Sequence, residues 1–508
     1  MKIERVLLID VELDKSDGEY GQLQGRWTHH PLGLMYLVSS ARAVFADLEF
    51  KIIHTATCKD SGSEILSAIK TFKPQLVGLR SLAIFRDRFD YVAKLIRNSN
   101  PEIILIGGGP YPNGYYEFLL ENKLLDLVVI EEGETTFTKL ISLLRGGTQL
   151  PSDLPGTAIL NSNGKVTLNT EATLIQDLDS IPFPAYDLID LNQYSDFSNH
   201  SFQNTSSSAF IYSTRGCPYR CFYCSAANTK KVRKRSAENI VEEMSIYYHE
   251  RGIREFVFVD DIFNVPLSKS KNILNLIGKK LPGVKLNFSN GLRADIMDKE
   301  FIDLLREVGT AQLCLAVETA TPRLQKMIGK YLNLEKAHEL INEASKHIVT
   351  GVFFMVGFPS ETEEEAFSTI KYATTLQYMA QPIFSVVRVY QDTPLFDFLK
   401  PSAKQIKQLR EQSSKAVNTK MMENESENFY GDFFDNDLVP LNSKLIRELR
   451  WEWYKSVVMS EQRLSKSHSV LQKHYDKEQI LSFYKNFFDN PNLDEKYLTR
   501  LLNIKSIM

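Results

Sequence analysis

The chain has 508 residues, 43% of them hydrophobic and 24% charged, with a formal charge of −3 at pH 7. That length exceeds one ordinary core and predicts two or three domains, and the near-neutral charge gives no electrostatic case for nucleic acid or an anionic membrane. Five cysteines make no disulfide framework at this size, and their clustering suggests a metal in a reducing cytoplasm; no apolar run reaches the roughly 18 residues of a membrane helix.

Residues 1–147 alternate short apolar runs with helical patterns. The strand candidates are Arg5–Ile9, Phe50–His54, Gln75–Leu79, Ile103–Ile106 and Leu125–Ile130. The first of them ends at Asp10 and reads as a strand, not as a signal peptide. Leu34, Leu37, Val38, Ala41, Val44 and Phe45 repeat at helical spacing behind Pro31, which suits a first helical turn, and Tyr91, Leu95 and Ile96 do the same. Strand–helix alternation with short connections predicts a doubly wound, flavodoxin-like parallel sheet, whose ligands sit beyond the carboxyl ends of the strands. Those ends carry Ser81, then Gly107-Gly108-Gly109-Pro110, then Glu131-Glu132-Gly133-Glu134. Consecutive glycines admit a bulky ligand close to the backbone, and equally permit a tight turn.

Residues 148–208 read as a connector. Asn161-Ser162-Asn163-Gly164 between Thr157–Leu160 and Lys165–Leu168 predicts a small hairpin. Ile181-Pro182-Phe183-Pro184-Ala185-Tyr186 is stiff and extended, and the run from Ser201 to Ser208 is polar.

In residues 209–395 six strand candidates alternate with helices: Ala209–Tyr212, Phe256–Val259, Lys285–Phe288, Gln312–Val317, Val352–Val356 and Phe384–Val389. Helical patterns cover Ala237–His249, Lys299–Val308 and Glu335–Ser345. The pattern is a partial TIM barrel, (β/α)6, with chemistry expected at the strand C-termini, where Asp260, Asp261, Asn290, Arg293, Glu318 and Gly357 fall. Directly after the first strand comes Cys217-Pro218-Tyr219-Arg220-Cys221-Phe222-Tyr223-Cys224, three thiols spaced C-x3-C-x2-C. Three thiolates leave a tetrahedral zinc one ligand short, to be met by a histidine or Cys314, whereas a cubane iron–sulfur cluster can keep its fourth iron open for substrate. Cys314 between Leu313 and Leu315 reads as a core thiol. Residues 396–508 lose the strand signals; Ile446, Leu449, Trp453 and Val457 mark an amphipathic helix over Ser443–Met459. An acidic, aromatic stretch runs from Glu423 to Asp437. This C-terminal region reads either as a cap over the barrel mouth or as packing without substrate contact.

The cysteine loop, with Tyr223 before its last cysteine, resembles the cluster loop of the radical S-adenosylmethionine (SAM) superfamily, CxxxCxΦC. The first 147 residues, with His30-Pro31-Leu32-Gly33 opening the first helix and the triple glycine after strand four, resemble the cobalamin (B12)-binding domain that precedes many radical SAM modules. The resemblance implies a [4Fe–4S] cluster on Cys217, Cys221 and Cys224, and SAM near Tyr223, Asp260, Asp261, Arg293, Glu318 and Gly357. Met355–Thr362 resembles the strand-five signature, and Val387–Pro394 the strand-six stretch, with Asp392 where glycine is usual. The resemblance further implies cobalamin near His30, Gly33, Ser81, Gly107, Gly108, Gly109, Glu132 and Gly133. In domains that ligate cobalt the motif is DxHxxG; here Thr28 stands in place of the acid, so the cobalt face is expected open or water-bearing.

The function implied is a cobalamin-dependent radical SAM enzyme. The expected reaction is C-methyl transfer to an unactivated carbon, through a 5′-deoxyadenosyl radical and methylcobalamin, on a small molecule or peptide. An external low-potential donor such as flavodoxin or ferredoxin is implied. The alternatives are a radical SAM oxidoreductase or cyclase whose cobalamin has another role or is absent, and, from another class, a corrinoid or redox sensor. A methylthiotransferase needs three further cluster cysteines, and only Cys58 and Cys314 remain.

Overall fold

The computed structural model describes residues 3–16, 28–147, 149–169, 174–195, 197, 205–225, 231–391, 393–406 and 438–488. Two compact units divide the chain, one built mainly from Met1–Phe197 and the other mainly from Ser198–Val389 with the C-terminal helices.

In the first unit, five parallel strands, β1 (Arg5–Val11), β2 (Glu49–His54), β3 (Leu76–Ser81), β4 (Ile104–Gly108) and β5 (Leu127–Val129), stand in the order 2-1-3-4-5. That is the flavodoxin-like order. Successive side chains of a strand point to opposite faces, so β1 supplies both cores at once. Val6 and Leu8 pack with Val38, Leu140 and Ile141 of helices α1 (Leu32–Arg42) and α5 (Gly133–Arg145). Leu7, Ile9 and Val11 pack on the other face with Ile65, Val92 and Leu119 of α2 (Ser61–Phe72), α3 (Arg86–Ser99) and α4 (Pro110–Glu121). Each such side chain, fully buried, contributes about 1.5–3 kcal/mol over its exposed state.

The hairpin expected in the connector does form, as β6 (Thr157–Leu160) and β7 (Val166–Asn169), but it extends the first sheet. β6 pairs antiparallel with β5 through Leu127↔Ile159, Val128↔Ala158 and Val129↔Thr157. Without it β5 is an open edge with unpaired backbone groups, which a short antiparallel neighbour satisfies. The fifth strand is also shorter than its apolar run, because Leu124 and Leu125 are spent in the core before the strand begins.

The second unit carries six parallel strands in strictly sequential order: β8 (Ser208–Ile211), β11 (Glu255–Phe258), β12 (Lys285–Leu292), β13 (Thr310–Glu318), β14 (Val349–Val356) and β15 (Gln381–Val386). Helices α6 (Ala237–Glu250), α7 (Leu267–Lys280), α8 (Lys299–Glu307), α9 (Pro322–Met327), α10 (Leu334–Ser345) and α11 (Glu363–Thr374) alternate with the strands. The expected (β/α)6 half-barrel is present. A separate two-stranded ribbon, β9 (Thr214–Arg215) with β10 (Arg233–Lys234), brackets the cysteine loop at its base. The short α12 (Pro394–Leu399) follows β15.

Helices α13 (Ser443–Trp453), α14 (Glu461–His474) and α15 (Lys477–Phe487) settle where the described C-terminal region lies. Ile446, Leu449, Trp453 and Val457 are all buried, as their spacing requires. Trp453 stacks on Phe384 at 4.9 Å and meets Phe354 at 5.3 Å. Buried Arg463 donates to Met379 O, just before β15, and His474 lies 2.7 Å from His347 O, just before β14. Helix α14 therefore packs near the strand starts, whereas α13 lies against Phe354 and Phe384 farther along the strands, and Leu438 O accepts from Ser360 N just beyond β14. The stretch from Glu423 to Asp437 lies outside the described residues.

Candidate active site

The polypeptide enters the cysteine loop from β8 through Ser213 and Thr214, and Asp260 beyond β11 holds that entry. Its carboxylate accepts from Ser213 N (2.7 Å), Thr214 N (2.5 Å), Ser213 Oγ (2.8 Å) and Thr214 Oγ1 (3.1 Å). Burial raises its pKa to about 6 against these donors. Asp260 is thus consumed in shaping the loop. Asp261 next to it accepts from Gly216 N at 3.2 Å and is otherwise exposed.

Within the loop, Cys217, Cys221 and Cys224 are half-buried free thiols. Cys224 N donates to Cys221 O, Phe222 N to Ile328 O, and Leu395 N to Phe222 O, at 3.0, 3.1 and 2.8 Å. Gly329 has φ +71, and a Cβ there would stand 2.7 Å from Arg220 O, so the position needs glycine on both counts. Burial pushes Cys217 up to about 11 and raises Cys221, with Lys330 opposing the shift at both. Cys217 and Cys221 therefore favour the thiol form at neutral pH unless a metal takes the proton's place. No set of three His, Cys, Asp or Glu side chains is drawn together as a metal site among the described residues. The donor chemistry of the loop nevertheless fits an iron–sulfur cluster: three thiols, no histidine, and backbone anchors that leave the sulfurs half-exposed.

Around the loop stand groups that strand ends bring together. Glu318 closes β13 with φ +69, at a register shift between Ala316 and Glu318. A non-glycine residue held there is a strained backbone of the kind kept at functional sites. Its Oε1 lies 2.8 Å from Lys330 Nζ, both side chains are about nine-tenths buried, and Tyr223 hydrogen-bonds the same carboxylate. Burial, then Glu318, drives the Tyr223 phenol far above its usual pKa, so it acts as a donor. Arg293 does not reach into the site as a free cation. Its guanidinium binds Asp295 (2.7 and 3.0 Å), Lys330 O (2.6 Å) and Tyr331 O (2.9 Å), and lies 4.3 Å over the Tyr219 ring. It pins the segment that carries Lys330.

Gly357 after β14 has φ +92, and its N–H donates to Glu361 Oε2 at 2.5 Å, beside the Phe358 N–H at 2.9 Å. Phe358 packs on Tyr223 at 5.6 Å and on Phe222 at 6.4 Å. Glu361 is fully buried, its Oε1 has no hydrogen-bond partner among the described residues, and burial raises its pKa to about 8. A raised carboxyl pKa makes folding favour the protonated form. Its contribution to stability is complete below the ordinary glutamate range and is lost as pH rises through about 8. Glu361→Gln, a neutral mimic of the acid, should flatten the fall of the denaturant midpoint across that window. An unchanged pH slope in the variant would remove Glu361 from this role.

The first unit's strand ends hold a different set. Arg80 on β3 pairs with Asp10 at 2.9 Å, and His54 at the end of β2 lies 3.6 Å from Glu12 and 2.9 Å from Tyr194 Oη. Glu12 raises the His54 pKa against the opposing effect of burial. Thr28, where cobalt-ligating domains have the acid, donates to Glu12 at 3.2 Å. His30 is buried, with Nδ1 3.4 Å from Tyr186 Oη and its ring 4.6 Å from Tyr194. Ser81 Oγ donates to Val11 O at 2.6 Å. A Cβ on Gly107 would meet Leu125 at 2.4 Å, and one on Gly133 would meet Leu37 at 2.9 Å, so both serve packing. Gly109 has φ +84 and lies against Arg80, and Glu132 accepts from Ile175 N. Gly33 has open space around it and Gly108 only ordinary contacts. Those two leave the backbone approachable at the sheet edge, as a large corrin ring requires.

A parallel half-barrel with a three-cysteine loop off its first strand, in a chain that also folds a flavodoxin-like unit, is the architecture of a two-domain enzyme with a thiol-held cofactor. The Radical SAM superfamily matches residues 211–373, and the B12 binding domain matches residues 26–141. An uncharacterized methyltransferase of Pyrococcus horikoshii is 31% identical over 403 residues, 78% of this chain and 83% of its own. Cytidylyl-2-hydroxyethylphosphonate methyltransferase of Streptomyces wedmorensis is 27% identical over 66% of this chain and 67% of its own. The solved radical SAM methyltransferase TsrM of Kitasatospora setae, with cobalamin and a [4Fe–4S] cluster bound, shares the fold at a TM-score of 0.63 and 20% identity, over 78% of this chain and 75% of its own. The chain belongs to the B12-binding radical SAM family of cobalamin-dependent methyltransferases, whose cofactors are a [4Fe–4S] cluster, SAM and cobalamin.

Lys330 escaped the sequence reading, and Glu361 entered it only as part of the Met355–Thr362 stretch, with no role of its own. The partners of both are set by the folds of β13 and β14, which the sequence does not display.

Proposed function

We propose that the enzyme transfers a methyl group to an unactivated carbon of a small molecule or peptide. The observation that carries this reading is one chain with a three-thiol loop at the strand ends of a half-barrel and a flavodoxin-like sheet whose ligand edge is open at Gly33 and Gly108. Methyltransferase relatives support it. When bound, the cluster and SAM supply a radical that takes hydrogen from substrate, and the corrinoid supplies the methyl group.

The chain's residues divide by distance from that chemistry. Cys217, Cys221 and Cys224 would hold the cluster. Glu318 and Lys330 offer a buried anion and cation that complement the ammonium and carboxylate of SAM, with Tyr223, Asp261 and Gly357 beside them. Asp260, Arg293 and Glu361 hold these groups in place through the hydrogen bonds given above. Gly33 and Gly108 are the backbone positions open to a corrin. His30, Ser81, Gly107, Gly109, Glu132 and Gly133 support that edge from behind it. A low-potential one-electron donor such as flavodoxin or ferredoxin, and a cytoplasmic setting, complete the reading. No helix among the described residues is long and apolar enough to cross a membrane.

The test is the fate of methyl-deuterated SAM with substrate and reductant. Product should gain an intact CD3 group, with S-adenosylhomocysteine and 5′-deoxyadenosine formed in equal amounts. Product that loses hydrogen or gains a ring, without substrate-dependent S-adenosylhomocysteine, would favour the oxidoreductase or cyclase. Absence of 5′-deoxyadenosine under all reducing conditions would favour a sensor.

A further inference from the structure

We infer that the outer face of the cysteine loop, centred on Phe398 and rimmed by Arg220, Lys326 and Lys400, is the docking surface for a small acidic protein that delivers single electrons. The inference rests on the radical SAM reading above, which requires an external reductant, and adds where and how that partner is recognised.

A single exposed apolar side chain needs no explanation. Phe398 differs in what it touches. Its side chain is 51% exposed, and its ring meets Phe222 edge-on at 6.1 Å. Phe222 is the chain neighbour of Cys221, and its backbone is fixed at both ends, by Ile328 O and by Leu395 N. An exposed aromatic ring is thus held in contact with the ring of a residue bonded directly to Cys221. A second exposed aromatic, Tyr331 (64% exposed), sits on the segment that Arg293 ties to Tyr219 of the same loop.

The charges around this face have a sign. Arg220 in the loop, Lys326 on α9 and Lys400 after α12 are exposed, against two exposed acids, Asp397 next to Phe398 and Asp261 beside Gly216. Arg323, also exposed, is already neutralised by Glu365. Of these, Arg220 is in backbone contact with Gly329, at the end of the turn that follows α9. An aromatic centre with a cationic rim suits a transient encounter with an anionic partner. Redox complexes bury less than about 1,200 Å² and depend on charge steering for their association rate. The step itself makes and breaks no bond: the carrier is oxidised by one electron and the cluster is reduced by one.

The experiment uses the full chain with its cluster reconstituted anaerobically, and follows the bleaching of the cluster's visible absorbance in stopped flow. Reduced flavodoxin is the protein probe, and titanium(III) citrate the small-molecule control. In wild type the flavodoxin-driven rate should fall steeply as salt is raised past about 0.1 M, where screening shortens to about 10 Å. Lys326→Glu/Lys400→Glu should slow that rate at low salt by about tenfold or more and flatten its salt dependence. Phe398→Ala should slow it with the salt dependence intact. Titanium-driven bleaching should be the same in all three proteins. Equal flavodoxin rates in wild type and the charge-reversed variant would overturn the inference, and so would an equal loss in the titanium arm. A wild-type chain that cannot be loaded with a cluster at all would instead break the reading on which the inference rests.

Discussion

Replacing Cys217, Cys221 and Cys224 together by alanine should abolish cluster loading, from about four irons per chain to none, and with it all reductive cleavage of SAM. The effect should be confined to chemistry. The loop is held by backbone bonds from Phe222, Leu395 and Gly216, none of which needs a thiol, and the three sulfurs are only half-buried. Truncating them opens little cavity, so circular dichroism and the unfolding midpoint of the cluster-free chains should nearly coincide. Cys58→Ala and Cys314→Ala should keep their iron. Both side chains are buried among core residues, and no other cysteine lies near either of them in the chain. Iron and sulfide counts after anaerobic reconstitution decide the matter. A triple variant that retains its cluster, or about eight irons in wild type, would contradict the assignment.

Lys330→Met should be the most damaging single substitution outside the cysteines. It leaves the Glu318 carboxylate buried, on a strained backbone, with only Tyr223 to satisfy it. Breaking one side of a buried pair costs about 3–5 kcal/mol, mostly the desolvation of the charge left behind. The double replacement Glu318→Gln/Lys330→Met removes both charges and should recover much of that loss, which a double-mutant cycle in urea reads directly. Recovery of stability should not restore SAM binding, because the complementary charges for its ammonium and carboxylate are then both gone. If Lys330→Met unfolds at the wild-type midpoint, the pair is not formed in solution. If the double variant binds SAM like wild type, the pair has no part in holding it.

Some of this was legible along the chain because its causes are local. Alternating Val6, Leu7, Leu8 and Ile9 feed two cores on opposite faces of one strand, so the strand and the two-sided sheet follow from the run itself. The helices behind Pro31 and over Ser443–Trp453 follow from a 3.6-residue period, which selects buried Leu34, Val38, Ala41, Ile446, Leu449 and Trp453, although Val44 falls beyond the end of the first helix and is exposed. Three thiols within eight residues must share a loop whatever the rest of the chain does. Charge, length and these patterns were enough to determine an α/β protein with a flavodoxin-like unit, a half-barrel and a thiol-based cofactor loop.

What each polar side chain does there was decided only by the tertiary structure. Asp260 and Asp261 are neighbours in the chain, yet one is saturated by Ser213 and Thr214 while the other keeps an exposed carboxylate beside Gly216. Arg293 sits at a strand end, as a ligand-binding cation would, but its guanidinium is spent on Asp295 and on the carbonyls that position Lys330. Gly107 stands in a stretch that reads as a ligand cradle and is glycine because Leu125 and Pro112 fill the space of its Cβ. The hairpin of residues 157–169 is local, but its place beside β5 is a matter of sheet edges. The physical reason is common to all of these. Hydrophobic period is a property of a segment and survives in the sequence. A hydrogen-bond partner 12, 37 or 47 residues away depends on strand register, on positive-φ positions such as Glu318 and Gly357, and on which groups burial forces to find partners, and only the folded chain contains these.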